Sequence, residues 1–182
     1  MYTVEEFTAK ISADDYIKDF VDVDYFLEFC KSCPNYERNW GCPPFNFDPL
    51  ELWKKYDNLL IIGVKISFDD DISNKKYSSD ELSNIISKSL RFEKNKLFNK
   101  LMQMEKELEN SVCLSAGTCN LCKECVRIKN EECIHPDKLR HSMESLGANV
   151  QKTIEELLNI KINWINDYKL PKYLTLCGGL LY

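Results

Sequence analysis

The longest ordered pattern in the chain is an apolar stripe at helical spacing. Leu82, Ile86, Leu90, Leu97, Leu101, Met104 and Leu108 follow it with one gap, near Glu93. The pattern predicts a long helix that begins after Ser78 or Ser79 and lays this stripe on a sheet. Lys94, Lys100, Glu105 and Glu109 then form a solvated face, and Met102 and Met104 read as core packing. An unbroken apolar run over residues 58–67 predicts a buried strand, and residues 112–116 predict a second that ends at Gly117. Residues 161–165 and 173–177 are candidate strands joined through Tyr168–Pro171.

Residues 1–29 read as short helices. Ser12 caps residues 13–20, with Asp14 and Asp15 in the first turn, where negative charge is favourable. A second helix over residues 23–30 buries Phe26, Leu27 and Phe29. Asp48 as cap and Pro49 at the first helical position start a short helix that runs to about Tyr56. Residues 69–77 read as a polar loop. Pro136 starts a helix over 137–146 that Gly147 closes, and 151–158 form another. Together these elements predict an α+β fold: a mostly antiparallel sheet with helices on one face and a cysteine-rich metal-binding lobe. The 182 residues fit a single domain, 1–182, with irregular cysteine loops at 30–47 and 117–136.

Composition narrows the function classes. The chain carries a net charge of −5 and a pI of about 5.2, which argues against nonspecific nucleic-acid binding. The longest apolar run, residues 59–64, is far too short to cross a bilayer, and the first residues lack the basic start and apolar core of an export signal. The expected location is cytoplasmic, with no membrane partner. In that compartment nine cysteines are thiols or thiolate ligands rather than a disulfide frame.

The cysteines fall into two groups. Cys119, Cys122 and Cys125 stand at C-x2-C-x2-C spacing, with Cys133 downstream and Pro136 after it. Three thiolates on one loop can reach three corners of a cubane while the intervening amides face its sulfides, as in ferredoxin-type runs. Zinc sites more often show two separated C-x2-C pairs. The earlier group is Cys30, Cys33 and Cys42, the last followed by Pro43 and Pro44. In one partition Cys119, Cys122, Cys125 and Cys133 share a site and Cys30, Cys33 and Cys42 share another. In the alternative, Cys133 and Cys42 are exchanged. The first needs only a local loop and is preferred. Three early thiolates leave one coordination position open for Cys113, Cys177, a histidine, water or substrate; a structural zinc with a fourth protein ligand is the competing reading. Cys113 and Cys177 lie in expected strands and read as core thiols. His135 and His141 sit in no hydrolytic motif, and Cys177-Gly178-Gly179 is too weak to indicate a nucleotide site.

These residues resemble a family of small microbial proteins known as predicted metal-binding proteins, a domain of unknown function. The resemblance rests on Cys30-Lys-Ser-Cys33-Pro-Asn-Tyr36, Trp40-Gly-Cys42-Pro43-Pro44, Ala116-Gly117-Thr118-Cys119-Asn-Leu-Cys122-Lys-Glu-Cys125 and Cys133-Ile-His-Pro136. It continues through Arg140, Ser142-Met-Glu144 and Gly147, with Thr118 in place of a more usual Pro. It implies metal or iron–sulfur binding and no particular substrate. On the expected helix, Arg140 and Glu144 share a face and form an ion pair that holds the cysteine loop to the sheet; an anion pocket made by Arg140 and Ser142 is the functional alternative.

The expected function is metal binding through one or two iron–sulfur clusters of the 4Fe-4S type, with electron transfer to a protein redox partner or a role as a reductase subunit. If the chain is an enzyme, it is an iron–sulfur oxidoreductase or part of one. The alternative is a structural zinc interaction module or a metal sensor or trafficking protein.

Overall fold

The computed structural model describes residues 2–73, 75–165 and 169–182. Four strands, β1 (Tyr2–Ser12), β2 (Asn58–Phe68), β3 (Val112–Leu114) and β4 (Tyr173–Leu181), build one antiparallel sheet in the order β1-β2-β4-β3. Six helices accompany it among the described residues: α1 (Ala13–Phe20), α2 (Val23–Lys31), α3 (Pro49–Trp53), α4 (Asp70–Ser73), α5 (Ser79–Glu107) and α6 (Val150–Leu157). The class is α+β, and among the described residues no helix is long and apolar enough to cross a membrane.

The helices cover both faces of the sheet, not one as expected. Leu59 and Ile61 of β2 pack with Tyr16 and Phe20 of α1, Trp53 of α3 and Ile154 of α6. The alternate residues Ile62, Val64, Ile66 and Phe68 pack with Leu82, Leu97 and Leu101 of α5. A strand covered on both sides has no polar face, which is why β2 reads as an unbroken apolar run. The first core also holds two buried polar anchors. Tyr16 and Thr153 share a hydroxyl hydrogen bond of 2.7 Å, and the Trp53 indole donates to the Leu146 carbonyl at 3.0 Å.

The gap in the α5 stripe is filled rather than empty. Glu93 is buried there and accepts from the Tyr2 hydroxyl at 3.0 Å. One turn earlier, Ser89 returns its hydroxyl proton to the Ile85 carbonyl. The helix begins with a reciprocal capping box between Ser78 and Glu81.

Three expectations fail. Residues 2–12 are an edge strand, paired with β2 from Tyr2–Phe68 to Ser12–Asn58, and only α1 and α2 follow as helices. Phe7, Ala9 and Ile11 carry the period-2 signal of this strand and pack on the first core, while Thr3, Val4, Glu5 and Glu6 stay exposed. Residues 137–146 do not form a helix. Ser142 pairs with Ser115 in a parallel bridge and the Ser115 amide donates to the His141 carbonyl at 2.9 Å, so this backbone is drawn out to the sheet. Only a 3-10 turn, Glu144–Leu146, survives. Gly147 ends it at φ 88°, and an added Cβ would stand 2.6 Å from the Val23 Cα, so both conformation and space require glycine. Residues 161–165 find no partner strand among the described residues; Trp164 and Ile165 are exposed. Their expected junction with β4 begins at Tyr168, outside the described residues. The polar loop at 69–77 contains the short α4.

Leu101→Ala should cost about 2–5 kcal/mol in urea unfolding, because Leu101 is fully buried between α5 and the sheet. Phe92→Ala, on the exposed side of the same helix, should change stability by less than about 0.5 kcal/mol.

Candidate metal centre

Both cysteine groups lie in irregular loops, and each loop is the other's scaffold. Cys30 lies in the last turn of α2, and Cys33 and Cys42 follow in turns. The second loop leaves β3 and carries Cys119, Cys122, Cys125 and Cys133, with a short 3-10 turn at Val126–Lys129. Arg127 of that turn reaches into the first loop. Its guanidinium donates to the carbonyls of Asn39 (2.8 Å), Cys42 (2.6 Å) and Pro44 (2.7 Å) and stacks 4.8 Å from the centre of the Trp40 ring. The Trp40 indole returns a hydrogen bond to the Glu131 carbonyl, and the Asn39 amide donates to the Cys119 carbonyl, both at 3.0 Å. These contacts close segments some eighty to ninety residues apart in sequence.

The loops also touch through the cysteines. The Cys42 thiol shares a 3.0 Å hydrogen bond with the Thr118 hydroxyl. A Cβ added at Gly41 would stand 2.9 Å from the Cys119 Cβ, so any side chain there would push the second loop away. Lys94 of α5 donates to the Thr118 carbonyl and faces the charges of Glu144, Cys119 and Cys42. Burial pulls its ammonium below the usual range against those opposing charges.

Electrostatics relate the thiols as two sets of neighbours. Burial pushes Cys30 up, and the charges of Cys42 and Cys33 push it further. Cys42 is raised by burial, against its Thr118 hydrogen bond and the nearby Arg127 and Lys94 charges. Cys119 is raised by burial, against a hydrogen bond from the Leu121 amide, and the charges of Cys122, Cys125 and Cys133 add to the rise. Cys122 is raised by burial and by Cys125 and Cys133. Such thiols ionise readily only beside a cation. Among the described residues, no three or more His, Cys, Asp or Glu side chains form a group ready to hold a metal ion. Cys113 and Cys177 belong to the core. Cys113 is fully buried, its Sγ 3.5 Å from the Met102 Sδ, and burial pushes it up to about 12. Cys177 lies within β4 and burial raises it strongly. Gly178 and Gly179 pair with Ile62 and Ile61 inside the sheet, away from any nucleotide-type loop.

The Arg140–Glu144 pair expected from the sequence does not form. Arg140 instead makes a bidentate ion pair with Glu105 near the end of α5, donating through Nε at 2.8 Å and through Nη2. Burial raises the Glu105 carboxyl, but the bonds from Arg140 and the Cys113 amide and the Arg140 charge outweigh it and hold it below the usual range. Arg140 is thereby committed and forms no anion pocket with Ser142. Glu144 turns inward. Its Oε2 is buried and has no hydrogen-bond partner among the described residues. Burial pushes its carboxyl up, against its own amide, Ser142, Lys94 and the Gly117 amide. Glu144 and Cys30 both line a cavity of about 180 Å³, and Glu144 also lines one of about 780 Å³ beside Tyr25, Phe29, Trp164 and Thr175. His141 is packed edge-on to Phe45, with ring centres 4.6 Å apart, and burial lowers its imidazole pKa. His135 starts the turn that contains Leu139, whose amide donates to the His135 carbonyl at 2.9 Å.

The family model described as "Predicted metal-binding protein (DUF2284)" matches residues 16–182. The chain belongs to this family. No curated protein and no solved structure matches it. The DUF2284 match begins within α1, so β1 lies outside it while both cysteine loops lie inside. In this DUF2284 chain, the sequence did not reveal what joins the loops: Arg127, Asn39 and Trp40, the last noted only in the resemblance, and Lys94, which was expected on a solvated face and is instead partly buried on the Thr118 carbonyl. Arg127 stands two residues after Cys125 in a run with no apolar periodicity, and nothing local distinguishes it from a surface arginine.

Arg127→Ala should speed hydrogen exchange at the Gly41 and Cys42 amides by at least about tenfold, since hydrogen bonds to a charged donor each contribute about 1.5–3 kcal/mol. Arg127→Lys should recover only part of the protection, because a single ammonium cannot replace the fork and the stacking on Trp40. The Glu105–Arg140 pair adds stability that is fully present above the unfolded carboxyl pKa and is lost as pH falls through the lower folded value. Glu105→Gln should therefore destabilise the protein at pH 7, and the gap to wild type should shrink in urea titrations below about pH 4.

Proposed function

We propose that this protein binds iron–sulfur clusters and passes electrons to a protein partner in the cytoplasm. Cys119, Cys122, Cys125 and Cys133 would hold one 4Fe-4S cluster. Cys30, Cys33 and Cys42 would hold a second metal group, with the whole chain acting as one metal-binding unit. The observation that carries the reading is the C-x2-C-x2-C run with Cys133, whose thiol charges reach one another. The donor chemistry fits the group: four soft thiols on one loop, backed by Gly41, where the absence of a Cβ leaves room against Cys119. When bound, the cluster would supply one-electron transfer.

The chain's own residues have distinct parts in this reading. Lys94 places positive charge beside Cys119 and Cys42 and lowers the cost of keeping these sulfurs ionised. Arg127 does the same for Cys42 while tying the two loops. Thr118 holds the Cys42 sulfur through its hydroxyl and so tunes the sulfur's electron density. The depth of the groups differs. Cys33 is exposed and Cys42 buried, so electrons and partners would approach from the side of the exposed thiols.

Protein purified without oxygen should be brown, with about four iron and four sulfide per cubane and a spin-resonance signal on reduction. Cys122→Ser and Cys125→Ser should each remove most of one cluster's iron. Cys113→Ser and Cys177→Ser should leave the iron content unchanged, since both thiols are core residues. Colourless protein holding stoichiometric zinc at both groups would overturn the reading in favour of a structural zinc module.

A further inference from the structure

We propose that the concavity between α5 and the Cys119–Cys125 segment is a binding site for a small organic anion, a phosphate or carboxylate carried on an apolar body. The cavity holds about 510 Å³ and reaches Cys122. Three cations line it, Arg91 and Lys94 from α5 and Lys123 from the cysteine loop, and no acidic side chain does. That is an unusual concentration in a chain of net charge −5.

The cations are not equivalent. Lys94 is committed to the Thr118 carbonyl and faces Glu144, so it contributes field from behind. The side chains of Arg91 and Lys123 make no hydrogen bond or ion pair among the described residues. Two unengaged cations from elements thirty residues apart in sequence converge on one hollow, where an anion could bridge them. Asn120 is fixed at its rim by a 3.0 Å hydrogen bond from its amide to Asn95, which leaves its carbonyl oxygen to accept from a ligand hydroxyl. The floor is apolar, formed by Leu90, Ala116 and Leu176. A flat acidic protein face would leave that floor unfilled, whereas a molecule with a hydrocarbon or ring body covers it and presents its charge to Arg91 and Lys123. The sequence suggested an anion pocket at Arg140 and Ser142; neither residue lines this cavity, and Arg140 is held by Glu105.

The site does not depend on which metal the thiols hold, and the test separates the two questions. Calorimetric titration of the purified, metal-loaded protein with phenyl phosphate should show saturable one-to-one binding. Inorganic phosphate should bind at least about tenfold more weakly, and phenol should not bind. The double variant Arg91→Ala/Lys123→Ala should weaken phenyl phosphate at least about tenfold with its metal content unchanged, while Lys18→Ala, on the remote α1, should bind as wild type. Three outcomes would overturn the proposal: no saturable binding of phenyl phosphate, equal binding to the double variant, or loss of metal and fold in that variant. Metal content measured on the same samples reports on the cluster reading independently.

Discussion

One guanidinium holds the cysteine region together. Arg127 occupies three carbonyl oxygens of the first cysteine loop and sits over the Trp40 ring, and the loop answers through Trp40 and Asn39. The first loop has no helix or strand to engage all of its carbonyls, so those of Asn39, Cys42 and Pro44 can accept from a side chain. A planar five-donor fork is the group best suited to gather several of them at once.

The sheet serves this arrangement from both sides. Burial of β2 between two cores makes a rigid plate. From it β3 launches the second cysteine loop, and the Ser115–Ser142 bridge brings the chain back to the same edge. The loop is therefore pinned at exit and return. On the far side Arg140 ties the return segment to Glu105, while Lys94, about three turns earlier on α5, ties its start through Thr118. A single long helix thus braces both ends of the loop.

Much of this was legible in the residues. Ser12 and Asp48-Pro49 marked helix starts correctly, and Ser78 was one of the two positions expected to open α5, because capping is a local interaction. The apolar run of β2 was equally clear, although its meaning, cover on both faces, was not drawn. The failures came where distant partners decide. β1 is an edge strand whose polar half carries no burial signal. Residues 137–146 had helical cues at Pro136 and Gly147, but Ser142 was claimed by Ser115 and Arg140 by Glu105. The prolines, glycine and asparagines around the cysteines marked two irregular loops, yet Arg127 and Lys94 were invisible as their links because that role is purely tertiary.

The span closed by Arg127 has a consequence for how the protein is made. Asn39 is synthesised 88 residues before the arginine that holds its carbonyl. While the chain emerges, Cys30, Cys33 and Cys42 have neither their facing wall nor its two cations. The sheet itself closes a longer span, 122 residues from Leu59 to Leu181, so the cysteine region and the sheet both wait on late-made chain. The early cysteine loop therefore lacks the donor that gathers its carbonyls until synthesis has passed Arg127.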